Sequence, residues 1–296
     1  MRMNKLRADV QALLFLLPFL VIYGLYTIWP MIKGVEMTFY KWTLIRKMKY
    51  IGWDNYTKMF HDQEVWAAIW HSTIFVLITT PTMIVLAIVL ALIANRKSRL
   101  QKFYRSVFFL PSVLSVAVAS YLGLFIFQPY MGFVNSLLHL IGLLPSGTEL
   151  FWLTELNLSW VALSVITLWW TVGFNFILYL SAMQDIPDEI YEAARLDGAS
   201  DRHVFWKITL PYLNPITKTI TMLQIIASFK VFLQIYIITG GGPLDKTRPI
   251  IQLIYTTGFR KNDLGYAATM SYVVFVILLV LSAIQYWMNN RKGAQA

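Results

Sequence analysis

This sequence predicts an all-α, polytopic membrane protein, and three observations carry that prediction. Of its 296 residues, 57% are hydrophobic and only 14% are charged, a balance that water-soluble domains do not reach. The mean hydropathy is +0.58. Charge-poor apolar stretches recur at lengths that cross about 30 Å of hydrocarbon, which takes roughly 20 helical residues.

Composition also excludes several classes. With no cysteine, a disulfide framework, a cysteine metal site and a cysteine nucleophile are ruled out. The net charge of +10 fits either nucleic acid or basic loops at a membrane surface. The chain has no nucleic-acid motif, and basic loops that orient the spans account for the charge.

In chain order, the first span is expected over residues 10–32. Arg2, Lys5 and Arg7 precede it, as in a secretory leader. The apolar run is long enough to be retained as a span, and no small-residue cleavage site follows it promptly. Residues 33–65 are polar and aromatic and predict an outside loop with some helix. The second span, 66–94, contains Pro81, which a packed bundle tolerates.

Arg96, Lys97, Arg99, Lys102 and Arg105 then mark an inside turn. The third span, 103–127, has Pro111 near its start. Residues 128–157 hold no Lys or Arg and fit an outside loop. The fourth span is 158–183, the fifth 216–238 and the sixth 266–288, followed by Arg291 and Lys292. The loop between the last two spans begins with a Thr-Gly-Gly-Gly-Pro turn, read as flexible. Inside segments hold 13 Lys and Arg against 10 in outside loops, so orientation rests on the short basic turn and on the segment between the fourth and fifth spans. Both termini are expected in the cytoplasm. The whole chain, 1–296, reads as one transmembrane domain.

That segment, 186–215, is the polar exception. Pro187 suits a first helical position, and Asp188 and Glu189 place negative charge at the positive end of a helix dipole. Gly198 stops this helix as a left-handed residue would. Ser200 caps a second short helix that ends near Leu210 and Pro211. A helix–Gly–helix hairpin with a small-residue face, built from Ala193 and Ala194, is suited to docking rather than to crossing a bilayer.

The spacing of this hairpin carries a resemblance. Glu192-Ala193-Ala194, three residues, Gly198, nine residues, Ile208, one residue, then Leu210-Pro211 resembles the EAA motif of binding-protein-dependent ABC importer permeases. The stretches IGWDNY, FYRSVFFLPSVLS, GFVNSLL, SFKVFLQIYIITGGGP and LGYAATMSYVVF extend it over most of the chain. They are similar to the first permease subunit of carbohydrate-uptake importers, the relatives of the maltose and glycerol-3-phosphate permeases. The chain is expected to be the compact six-span form, without the extra N-terminal spans and large outside domain of the maltose permease.

The resemblance implies that Glu192, Ala193, Ala194, Gly198, Ile208, Leu210 and Pro211 couple this chain to an ATPase. Glu192 would pair with a basic residue of that ATPase, and the two alanines would allow close approach. It also implies a second permease, two ATPases that carry the ATP and magnesium, an extracytoplasmic solute-binding protein, and a bacterial-type inner membrane. No cofactor is expected on this chain.

For the solute path, polar groups inside spans are informative because lipid does not satisfy them. Thr171, Asn175 and Tyr179 recur every four residues and share a helix face. Lys230 and Gln234 do the same, with Gln224 and Ser228 on a neighbouring face. A sugar needs hydrogen-bond partners for its hydroxyls and flat rings for its C–H faces. Asn175, Tyr179, Phe229, Lys230, Phe232 and Gln234 are therefore the candidate path residues. The bland alternative is that these polar groups join the helices to one another.

No span contains an acidic residue, which argues against the alternative of a stand-alone proton- or sodium-coupled transporter or channel. His61, His71, His139 and His203 lack metal-like spacing. No catalytic constellation is visible, and no phosphate loop that would bind ATP. Trp29, Trp66, Tyr266 and Trp287 are expected as anchors at the membrane interface.

Overall fold

The computed structural model describes residues 14–96 and 98–293, with side chains as far as residue 287. The elements are α1 (Leu14–Thr38), the strands β1 (Tyr40–Trp42) and β2 (Lys47–Tyr50), α2 (Asp54–His61), α3 (Gln63–Asn95), α4 (Gln101–Phe109), α5 (Val116–Ile126) and α6 (Phe133–Leu140). They continue with α7 (Leu156–Gln184), α8 (Asp188–Leu196), α9 (Asp201–Val204), α10 (Asn214–Phe229), α11 (Leu233–Ile238), α12 (Ile250–Tyr255) and α13 (Leu264–Gly293). Among the described residues, α1, α3, α7 and α13 are long and apolar enough to cross a membrane. A further candidate is the bent pair formed by α4, its terminal turn and α5. Arg2, Lys5, Arg7, Lys97 and residues 10–13 of the expected first span lie outside the described residues.

The chain divides into two units. The first comprises residues up to 63 with 254–277; the second comprises 64–253 with the remainder. In the first unit, β1 and β2 form an antiparallel hairpin with Tyr40 opposite Tyr50. Buried Asn55 donates to the carbonyls of Thr38 at 2.9 Å and Tyr40 at 3.3 Å. Tyr56 donates to the Thr38 hydroxyl at 3.1 Å. Gly265 presses on the same backbone, because a Cβ there would lie 2.2 Å from the Tyr40 carbonyl. The IGWDNY and LGYAATMS stretches therefore meet over the junction between α1 and β1.

Tyr266 departs from its expected role as an interface anchor. It is 4% exposed and donates to Asp62 at 2.7 Å, with the Lys58 ammonium 3.9 Å above its ring. A buried phenol already paired with a half-buried carboxylate has no reason to seek the headgroup region.

In the second unit, α3, α7 and α10 share a core of Met83, Ala87, Ala91, Val172, Phe176, Tyr179, Met183, Leu213 and Ile220. Ala87, Ala91 and Ala94 are fully buried at helical spacing. Small side chains let helix backbones approach where the hydrophobic effect gives no drive between helices. Pro81 sits inside α3 without ending it. The hydroxyls of Thr79 and Thr82 donate to carbonyls one turn back, each at 2.7 Å.

Two expected spans are broken rather than continuous. The segment expected as 103–127 runs as α4, a tight turn over Leu110–Val113, then α5 at 98° to it. Pro111 cannot donate a backbone hydrogen bond, and Leu114 and Ser115 are extended, with Ser115 capping α5 through Val118 N at 3.3 Å. The α7 helix holds this break. Trp170 Nε1 donates to the free Leu114 carbonyl at 2.9 Å, and at Gly173 a Cβ would lie 2.8 Å from the Phe108 carbonyl oxygen.

The segment expected as 216–238 is also interrupted. The α10 helix ends at Phe229, Lys230 is its C-cap, Phe232 adopts φ −148° and ψ −70°, and α11 begins at Leu233. No Gly or Pro lies at the break. Val231, Ile235 and Ile238 instead enter a second core cluster with Phe75, Phe127, Trp160 and Leu163, and α11 packs on α5.

Candidate functional site

The polar hairpin follows α7 directly. Its first helix, α8, begins at Asp188, so Pro187 sits just before the helix with ψ 134° instead of inside it. Gly198 has φ +76°. Its N–H donates to the Arg195 carbonyl at 3.0 Å, and Ala199 N–H donates to the Ala194 carbonyl at 2.9 Å. This pair of bonds is a Schellman C-cap, which satisfies carbonyls the helix leaves open. Ser200 Oγ accepts from His203 N at 3.4 Å and caps α9. The chain continues through a wide turn, Phe205–Thr209, and a short helix, Leu210–Tyr212.

The hairpin is anchored at both ends and exposed between them. Ile186, Thr209 and Leu213 are buried, and the Tyr191 and Thr209 hydroxyls lie 3.2 Å apart, tying α8 to the return segment. Glu192, Ala193, Gly198 and Pro211 are exposed, while Ala194, Ile208 and Leu210 are half-buried. Leu196 is 89% exposed. A C-capped helix resting on a buried base, with an acidic and small-residue outer face, is suited to seat in a cleft of another protein. Tyr191 and Thr209 had no sequence signal of their own, because their pairing spans the turn.

The polar groups of the bundle form two sets. In the first, Asn175 Nδ2 donates to Gln224 Oε1 at 3.5 Å. Gln224 Nε2 donates to Ser228 Oγ at 3.1 Å. Ser228 and Thr79 hydroxyls are 2.9 Å apart. Since Thr79 gives its proton to the Phe75 carbonyl, Ser228 is the donor to Thr79. All four side chains are buried, and this one-directional chain joins α7, α10 and α3. Tyr179 donates to Thr217 at 3.0 Å. For Asn175 and Tyr179 the bond to another helix is what the geometry shows.

The second set surrounds a cavity of about 430 Å³, walled by Phe75, Val116, Thr167, Trp170, Thr171, Gln224, Ser228, Lys230, Phe232 and Gln234 among others. It lies against both helix breaks. Of the candidate path residues, Lys230, Phe232 and Gln234 line it; Asn175, Tyr179 and the buried Phe229 do not. Lys230 and Gln234 are not on one helix face, as their spacing suggested, because the break falls between them. They converge on the cavity by way of that break. Gln234 Nε2 donates to Thr167 Oγ1 at 3.4 Å. Thr167 was legible as one turn before Thr171 on the same face; Val116 and Phe75 were not.

The Thr-Gly-Gly-Gly-Pro turn is tightly bonded. Gly240 and Gly241 have φ +64° and +94°. Gln252 donates to the Gly240 carbonyl at 2.7 Å, and Thr247 N–H donates to that of Gly241 at 2.9 Å.

Among the described residues, four membrane-length helices and one bent pair, with an exposed helical hairpin after α7 and a cavity at the two breaks, are the architecture of a multi-pass membrane protein. Residues 83–293 match the family described as binding-protein-dependent transport system inner membrane component, and the chain belongs to that family. It is 34% identical to the probable ABC transporter permease protein YurN of Bacillus subtilis, covering 92% of this chain and 93% of that one. It is 31% identical to the lactose transport system permease protein LacF of Rhizobium radiobacter (96% and 95%). It is 32% identical to the multiple sugar-binding transport system permease protein MsmF of Streptococcus mutans (94% and 94%). Its fold matches a chain of a bacterial ABC transporter that imports the acidic polysaccharide alginate, with a TM-score of 0.86 at 24% identity over 98% of this chain and 99% of that one.

Proposed function

We propose that this chain is one of two permease subunits of an ATP-driven importer for a sugar or oligosaccharide. The reading has six crossings, the bent pair being the third and α10 with α11 the fifth, and both termini in the cytoplasm. An extracytoplasmic binding protein delivers the solute to the outer loops. Two ATPase subunits, which hold the ATP and magnesium, dock below. The sugar class follows relatives named for lactose and multiple sugars.

The observation that carries the reading is the hairpin, in a chain of this family. Glu192 and Ala193 face outward on a capped helix whose base is fixed in the core. Such an element moves as a rigid lever when a partner closes, and ATP closure supplies the free-energy difference between the two states of the path. Glu192, Ala193, Ala194, Gly198, Ile208, Leu210 and Pro211 form or support that lever. Lys230, Phe232 and Gln234 face the solute, while Asn175, Tyr179 and Phe229 hold the helices behind them.

The test is to purify the tagged chain gently and identify what accompanies it, then assay Glu192→Arg in proteoliposomes. A second permease and an ATPase are expected to co-purify. The variant is expected to lose solute uptake while ATP hydrolysis by the complex persists. Wild-type coupling in Glu192→Arg sinks the role given to Glu192, and a complex without any ATPase sinks the importer reading.

A further inference from the structure

We propose that the solute is an anionic saccharide, carrying a carboxylate, sulfate or phosphate, and that Lys230 is its counter-charge; this deepens the importer reading and rests on it. Lys230 is the one charged residue among those lining the cavity. Among the described residues it has no carboxylate partner. The helices around the cavity, α3 beyond its first turn, α5, α7, α10 and α11, contain no Asp or Glu.

Lys230 also serves the C-terminus of α10, where it is the cap residue. A helix terminus offers only roughly half a negative charge, so a full cation there is compensated in part. The 16 residues of α10 rise about 24 Å, so from the hairpin end Lys230 lies most of the way along a span of about 30 Å, with α11 still to follow. Lys230 is exposed and lines the cavity, and a cation within a span that has no partner acid is costly against lipid and favoured on a ligand path.

A neutral sugar can accept a bond from Lys230 but leaves the ammonium charge uncompensated. Its hydroxyls need donors and acceptors, and Gln234, Thr171 and Gln224 already present amides and hydroxyls to the cavity. The ammonium donates charge-assisted bonds to hydroxyls as well, but an anionic group also neutralises its charge, which a neutral sugar does not. The Trp170 and Phe232 rings supply flat faces for the sugar ring beside it. The cavity volume of about 430 Å³ is within the usual range for small-ligand sites.

The test uses the purified complex in nanodiscs without its binding protein, titrated with two α-1,4-linked trisaccharides, trigalacturonate and maltotriose. The acidic trisaccharide is expected to bind about tenfold tighter or more, with the preference weakening as salt rises. Lys230→Arg should keep the preference and Lys230→Gln should abolish it. Equal affinities, a preference for maltotriose, no binding of trigalacturonate at millimolar concentration, or a preference that survives Lys230→Gln each overturn the proposal. Equal affinities are also what an acid contributed by the second permease would produce. If an ATPase co-purifies while the two probes bind alike, the charge inference fails and the importer reading stands. If no ATPase accompanies the chain, the importer reading itself fails.

Discussion

Gly173 is the position where one methyl group should do the most damage. It lies on α7 against the break between α4 and α5, and a Cβ built there would sit 2.4 Å from Ser112 Oγ, 2.8 Å from the Phe108 carbonyl oxygen and 2.9 Å from Phe109 Cα. Among the described residues the Ser112 hydroxyl has no hydrogen-bond partner, so it can rotate aside. The two backbone atoms cannot. Ordinary contact begins near 3.4 Å, so α7 and the break must part by about half an ångström.

That separation also stretches the Trp170 bond to the Leu114 carbonyl, now 2.9 Å. Overpacking of this kind costs about 1–3 kcal/mol. Losing a bond that satisfies a carbonyl in a dry environment adds about 1 kcal/mol. Gly173→Ala should therefore lower the melting temperature of the purified complex by several degrees, and weaken solute uptake because the break walls the cavity. Gly24→Ala is the control. A Cβ at Gly24 meets nothing within 4 Å, and alanine there should be neutral or stabilise by about 0.5–1 kcal/mol. If the two variants melt alike, the close approach at Gly173 is not what holds the break.

The hydrogen-bond chain from Asn175 to Thr79 can be tested by a double-mutant cycle on Thr79→Ala and Ser228→Ala. Each single change should cost about 0.6–1.5 kcal/mol, and the pair should cost less than their sum, since the first already breaks the link. Strict additivity in denaturation would show that the two hydroxyls do not act through one another. At the hairpin, Gly198→Ala meets no steric obstacle, so its cost is the left-handed backbone alone, about 1–2 kcal/mol. Uptake per ATP hydrolysed should fall, and Gly198→Asn should recover part of it, because asparagine tolerates φ +76° better. Equal coupling in all three proteins would show that the Schellman cap does not stiffen the lever.

Much of this molecule is written in local sequence. Residues 66–94 and 158–183 read as spans because their apolar length leaves a helix few other places to go, and the structure extends each by only a few residues. The hairpin was legible because capping chemistry is local: Gly198 at φ +76° and Ser200 at the next helix start are single-residue signals. The polar positions of α7 were legible through their four-residue spacing.

What the sequence left open depends on contacts between residues far apart in the chain. Pro111 announces a weakness in the third span, yet the 98° bend needs Gly173 and Trp170 on α7 to hold it. The break after Lys230 has no Gly or Pro to announce it. Around it Val231, Ile235 and Ile238 are buried against Phe75, Trp160 and α5, contacts between residues far apart in the chain. The same break turns Lys230 and Gln234 toward one cavity and leaves Asn175 and Tyr179 to bind neighbouring helices. Helix, cap and span follow from short-range geometry and hydropathy. Which polar groups face the cavity, and which are spent joining helices, is decided only when the helices pack.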